Sequence, residues 1–213
     1  MKKAIITAIA AAAMLTACGD KNSASNTQFK KSIERYAEQN RFCLPLSLDI
    51  QSPENGDSSG IMLGEPVIKI AEQNRNGQEI NENNLKQMRL LTNEGFYERQ
   101  KTEITEDGDE NIRTQVFQLT EKGNRQVRPS PHGPLFCLGV QTVDKINWYT
   151  EPTPSNGVTV SQVSYEAEFK PESWARKLIK QGGDSWADIE KTRTQSATLM
   201  QTNDGWRDIR ELQ

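Results

Sequence analysis

Two cysteines constrain this chain more than any other pair of residues. Cys43 lies in "RFCLPLSLDI" and Cys137 in "LFCLGVQTVDKI", so each sits in a Phe-Cys-Leu word that leads into an alternating apolar stretch. A bond between them would close a loop of roughly 95 residues, worth about 4.7 kcal/mol if the bridge acts by restricting the unfolded chain. Bridged, their Cα atoms should stand about 4.4–6.8 Å apart. The tight Cys-X-X-Cys spacing of a redox-active pair is absent. Whether the two are oxidised depends on the compartment, and the N-terminus speaks to that.

Lys2 and Lys3 are followed by Ala4 to Met14, a stretch that is apolar apart from Thr7. It is short for a transmembrane helix, which needs about 20 apolar residues, and fits the apolar region of a signal peptide. The stretch ends in Leu15-Thr16-Ala17-Cys18. This word resembles the lipobox of bacterial lipoproteins. The resemblance implies a diacylglycerol on the Cys18 thiol, cleavage after Ala17, and acylation of the new amine. Three acyl chains would hold firmly, since each buried methylene contributes roughly 0.8 kcal/mol. An ordinary secretory peptide with an incidental cysteine is the alternative. Gly19, where an inner-membrane lipoprotein would carry Asp, implies the inner leaflet of the outer membrane, facing the periplasm. Asp20, one place further on, pulls the other way. The segment that follows, up to Thr27, is small and polar and reads as a flexible tether. With Cys18 committed to lipid, Cys43 and Cys137 are an even pair in an oxidising compartment, and a Cys43–Cys137 disulfide is expected.

The expected organisation is a signal peptide over 1–17, a tether over 18–27, an α+β lobe over 28–130 and a β-rich α+β lobe over 131–213. In the first lobe, Phe29, Ile33, Tyr36 and Ala37 recur at helical spacing over 27–39. Leu44, Leu46, Leu48 and Ile50 alternate as a strand, with Pro45 limiting its start. A helix is expected to begin near Glu65, with Pro66 at its first position, and a second over 79–93, ended by Gly95. Strands follow over 96–105 and 112–120. The order, with "LLTNEGFYERQ" and "VFQLTEKGNR", resembles the second half of a winged-helix domain over 61–127. Thr120 should cap the turn at Glu121-Lys122-Gly123, with Gly123 free to take positive φ.

The resemblance does not carry DNA binding with it. Removal of 1–17 leaves 24 basic residues against 29 acidic, a net charge of −5. The wing tip would present Glu106, Asp107, Asp109 and Glu110 to phosphates, which would repel them. No nucleic-acid partner is expected. In the second lobe, strands are expected over 135–149 and 158–169, a helix from Pro171 and a hairpin turned at Asn203-Asp204-Gly205. The words "VSYEAEFKPESWARK" and "TLMQTNDGWRDI" are similar to those of proteobacterial lipoproteins of an uncharacterised type.

Residues that could carry chemistry are sparse. His132, the one histidine, stands in the loop "RPSPHGPLF", with no second histidine for a zinc site and no Gly-X-Ser-X-Gly nucleophile turn. The carboxylates of "TEDGDEN" lack the spacing of a calcium loop. Trp148, Trp174, Trp186 and Trp206 suit a core better than a ligand groove, and the loop "RPSPHGP" is a candidate partner contact, though a connection between the two lobes is the safer reading. The expected fold is thus α+β, two small lobes with antiparallel hairpins, one winged-helix-like, joined by a disulfide. The expected function is a non-enzymatic interaction or envelope-maintenance module, without cofactor or metal, anchored to the membrane through Cys18 and meeting an envelope-protein partner. A small-molecule or peptide-binding lipoprotein with a groove between the lobes is the second reading. Oligomeric state stays open.

Overall fold

Pro45 has no N–H to give to a sheet, and it divides the first apolar stretch between two sheets. Strand β1 (Phe42–Leu44) ends before it and β2 (Ser47–Gln51) begins after it. A single strand over 44–50 was the expectation. The structure, a computed structural model, describes residues 23–107 and 110–212, without the side chains of 105–107, 110–111 and 184–185. The signal peptide, the first half of the expected tether (18–22, with Cys18) and the wing-tip carboxylates lie outside the described residues.

The fold is α+β with antiparallel pairing throughout its sheets. Helix α1 (Asn26–Gln39) opens where the Ser25 hydroxyl accepts the Gln28 N–H, the usual way to satisfy a first-turn donor. Its buried face carries Phe29, Ser32 and Ile33. Strand β3 (Ser58–Met62) pairs with β2. Residues 67–71 then form strand β4 (Val67–Ala71), not the expected helix. Ile68 and Ile70 point inward while Val67 and Lys69 point out, a period of two that suits β-branched residues in a sheet.

Helix α2 (Glu82–Asn93) follows, then β5 (Tyr97–Arg99), β6 (Glu103–Asp107), β7 (Glu110–Leu119) and the single turn α3 (Glu121–Asn124). Strands β4, β7 and β5 lie side by side, and β6 also pairs with β7. A helix followed by a wing-like hairpin is therefore present. The helix that a winged-helix domain would place over 65–71 is replaced by an edge strand of the same sheet, and the winged-helix likeness stops there.

The larger sheet has seven strands, in the order β1, β9 (Leu135–Tyr149), β11 (Val158–Pro171), β12 (Arg193–Thr202) and β13 (Gly205–Asp208). Strand β8 (Val127–Arg128) pairs with β9, and β10 (Thr153–Ser155) pairs with β11. Helix α4 (Ser173–Gln181) follows β11, as expected from Pro171 onward. The last hairpin turns where expected. Its return strand is short, because Asp208 accepts the Arg210 N–H and starts a 3-10 turn over Ile209–Glu211.

Packing crosses residue 130 in both directions. One apolar core joins Leu48, Leu63, Ile70, Met88 and Phe96 to Phe136, Phe169 and Trp174. A second lies where α1 covers the large sheet, with Phe29 and Ile33 against Val143, Val163, Tyr165 and Trp206. The Cys43–Cys137 disulfide, S–S 1.98 Å, ties β1 to β9. The two cysteines stand directly opposite each other, and the Cys137 N–H donates away from β1, to Gln126 O at 2.8 Å. Facing residues that exchange no backbone hydrogen bonds approach most closely, to about 4.5 Å. Their Cα separation is 3.8 Å, below the range expected from the sequence.

Candidate functional site

Two Pro- and Gly-rich corners, far apart in sequence, face each other across an open groove of about 580 Å³. One wall is Gly64-Glu65-Pro66, the corner between β3 and β4. The other runs from Asn124 and Val127 through Pro129 and Ser130 to Gly133 and Pro134. The walls nearly touch at their base. A Cβ on Gly64 would lie 2.8 Å from Pro134 Cβ and 3.1 Å from Val127 Cγ2, and Gly64 holds φ at +104°. Only glycine fits there.

Tyr97 fixes the first wall from below. Its side chain is buried, its oxygen accepts the Gly64 N–H at 2.8 Å, and its hydroxyl donates to Glu65 O at 3.1 Å. Burial pushes the phenol pKa up to about 12, opposed by the Gly64 N–H and assisted by the Glu65 charge. The phenol thus stays neutral and keeps its proton for Glu65 O.

The second wall rests on α3. Thr120 Oγ1 accepts the Gly123 N–H at 3.0 Å, the cap expected from the sequence, and faces Gly95 O at 2.7 Å. Gly123 does not take positive φ. It is needed for closeness instead: a Cβ there would lie 2.0 Å from Phe96 O. Further on, the Ser130 hydroxyl donates to Gly133 O at 2.6 Å and accepts the His132 N–H at 3.2 Å. That hydroxyl is engaged in holding its own loop. Strand β8 carries Val127 onto β9, and the disulfide carries β9 onto β1, so the wall is braced covalently from behind.

The sequence-derived candidates fall as follows. His132 is exposed on the loop that forms the second wall. Trp174, Trp186 and Trp206 are core residues, and Trp148 is exposed. Cys18 lies outside the described residues. Among the described residues, no three His, Cys, Asp or Glu side chains stand close enough to hold a metal ion. A second cleft, of about 410 Å³, mixes Glu72, Glu79 and Glu82 with Lys86 and Arg89. One wall, "RPSPHGP", is the loop singled out in the sequence as a candidate partner contact, while the other, "LGEP", is too short to stand out, so their pairing into a groove went unrecognised. The one signal was their shared density of proline and glycine. Its lining, proline rings and Val127 with Glu65 as the charged member, offers apolar contact and shape. Comparison of the chain with protein-family models, with curated proteins and with solved structures finds no match.

Proposed function

We propose that the protein is a lipoprotein held on the periplasmic side of a membrane by acyl chains on Cys18, in the outer membrane's inner leaflet. Its domain acts there as a non-enzymatic interaction module for envelope maintenance. The observation that carries this reading is the Cys43–Cys137 disulfide bracing an open groove. Disulfides persist in exported proteins and are rare in the cytosol, which agrees with the N-terminal sequence. The groove is held open by fixed corners, and rigid walls reduce the ordering cost of binding.

A second reading, a binder of small molecules or peptides, is favoured by the size of the groove, which falls within the usual range of about 300–1,000 Å³ for ligand sites. A photo-reactive amino acid at Pro134, compared in intact cells with one at exposed Lys101, separates the two. A discrete envelope protein captured at Pro134 alone supports the module. Equal capture at both sites contradicts it. Isolation of the protein with a co-purifying small molecule that a Pro134→Arg variant no longer retains supports the second reading.

A further inference from the structure

The large sheet carries exposed apolar side chains at one end. Trp148 is 57% exposed, and Tyr149 and Val158 are each 38% exposed. Trp148 stands opposite Ser164, and Tyr149 opposite Val163. The two aromatics therefore leave opposite faces of β9 at the same end. Beyond them β10 and β11 continue as an arm to Asn156-Gly157. From Thr150 to Val160 the sequence holds a single charged residue, Glu151.

That end is also where the described chain begins. The Phe29 ring packs edge-on against Tyr149, with centroids 4.8 Å apart. Five residues later, Glu34 Oε1 accepts the Val143 N–H at 3.2 Å. Helix α1 thus runs back along β9, starting from the Trp148–Tyr149 end. Six residues lie between Cys18 and the helix cap Ser25, so seven Cα-to-Cα steps join them. Whatever the conformation, seven such steps reach at most about 25 Å. An acylated Cys18 would keep this end of the sheet close to the bilayer surface.

We infer that Trp148, Tyr149 and Val158 form a membrane-contacting edge that lies in the headgroup region of the leaflet holding the acyl chains. The inference rests on the proposed acylation of Cys18. Trp and Tyr favour that region because a ring enters the apolar side while the N–H or O–H stays hydrated. With Glu151 as its single charge the arm meets little repulsion there, and exposed Lys31 on α1 suits anionic headgroups. Contact at a second point, beside the acyl chains, would fix how the domain stands on the membrane and which way its groove faces.

The test uses the full-length mature protein reconstituted into vesicles of phosphatidylethanolamine and phosphatidylglycerol, with or without brominated acyl chains. Trp174, Trp186 and Trp206 are buried, so bromine should quench the Trp148 share of the emission and little else. Trp148→Phe should abolish the bromine-dependent loss, with an unchanged thermal midpoint showing that the variant is folded. The intact mass of the same sample reports acylation separately. Acylated, vesicle-bound protein whose emission ignores bromine overturns the membrane edge alone, and protein without acyl chains overturns the anchor and the edge together. Shielding of Trp148 from acrylamide that grows with protein concentration in detergent, as a second copy covering it would cause, also overturns the inference.

Discussion

Replacing Cys43 and Cys137 together by alanine removes a cross-link that spans 94 positions of the sequence. The native pairing of β1 with β9 does not need the bond, since the strands also pair through Phe42 and Leu44. The larger effect falls on the unfolded chain, which gains the freedom of an open loop. The loop-closure relation gives about 4.7 kcal/mol at 25 °C for a loop of this length. With a urea m-value of about 2 kcal/mol/M, the unfolding midpoint should fall by roughly 2 M. Alanine is the better replacement for Cys137, which is buried, because serine would bring a hydroxyl into the same space. The assay is urea unfolding of the wild type and the double variant, each followed by fluorescence and circular dichroism. Reduction of the wild type should reproduce the shift. A midpoint change under about 0.5 M with an unchanged slope would refute the loop argument. Two free thiols in the denatured, unreduced wild type would refute the bridge itself.

Tyr97 gives a pH dependence with a definite sign. Its folded pKa of about 12 lies above the ordinary 10.0, so its contribution is complete below pH 10 and is lost as pH rises from about 10 to 12. Tyr97→Phe should flatten that decline in a pH series of thermal midpoints. At neutral pH it should cost about 1–3 kcal/mol, because the Gly64 N–H loses its partner; a variant as stable as the wild type would contradict the wall described above. Gly123→Ala should destabilise by about 1–3 kcal/mol, since α3 must move away from Phe96 O, and calorimetry showing no loss would contradict the close approach. Cys18→Ser should release the protein from the membrane fraction, and a variant that still pellets with salt-washed membranes would contradict the anchor.

The parts of the fold that could be read in the sequence were those fixed by local signals. Helix α1 follows from the spacing of Phe29 and Ile33, and the α3 turn from Thr120. The disulfide was legible from the matched surroundings of Cys43 and Cys137. Residues 65–71 were misread because a short apolar run with a leading proline suits a helix start and an edge strand equally. What decided the matter was β7, a partner more than forty positions away. Gly123 was noticed for the wrong reason: its freedom in φ is a local property, while its contact with Phe96 O exists only after α3 folds back. The groove was hardest to see. Its walls come from two corners about sixty residues apart, and their meeting depends on Tyr97, β8 and the disulfide acting together. The exposure of Trp148 was likewise hidden, since a tryptophan in an alternating strand reads as core.

Mass spectrometry of the N-terminal peptide of protein purified from membranes decides whether this disulfide-braced domain hangs from acyl chains on Cys18. An acyl anchor requires a peptide that begins at Cys18, carrying a diacylglycerol on sulfur and a third acyl chain on the amine. A peptide that begins elsewhere, or one in which Cys18 has a free thiol, would contradict it.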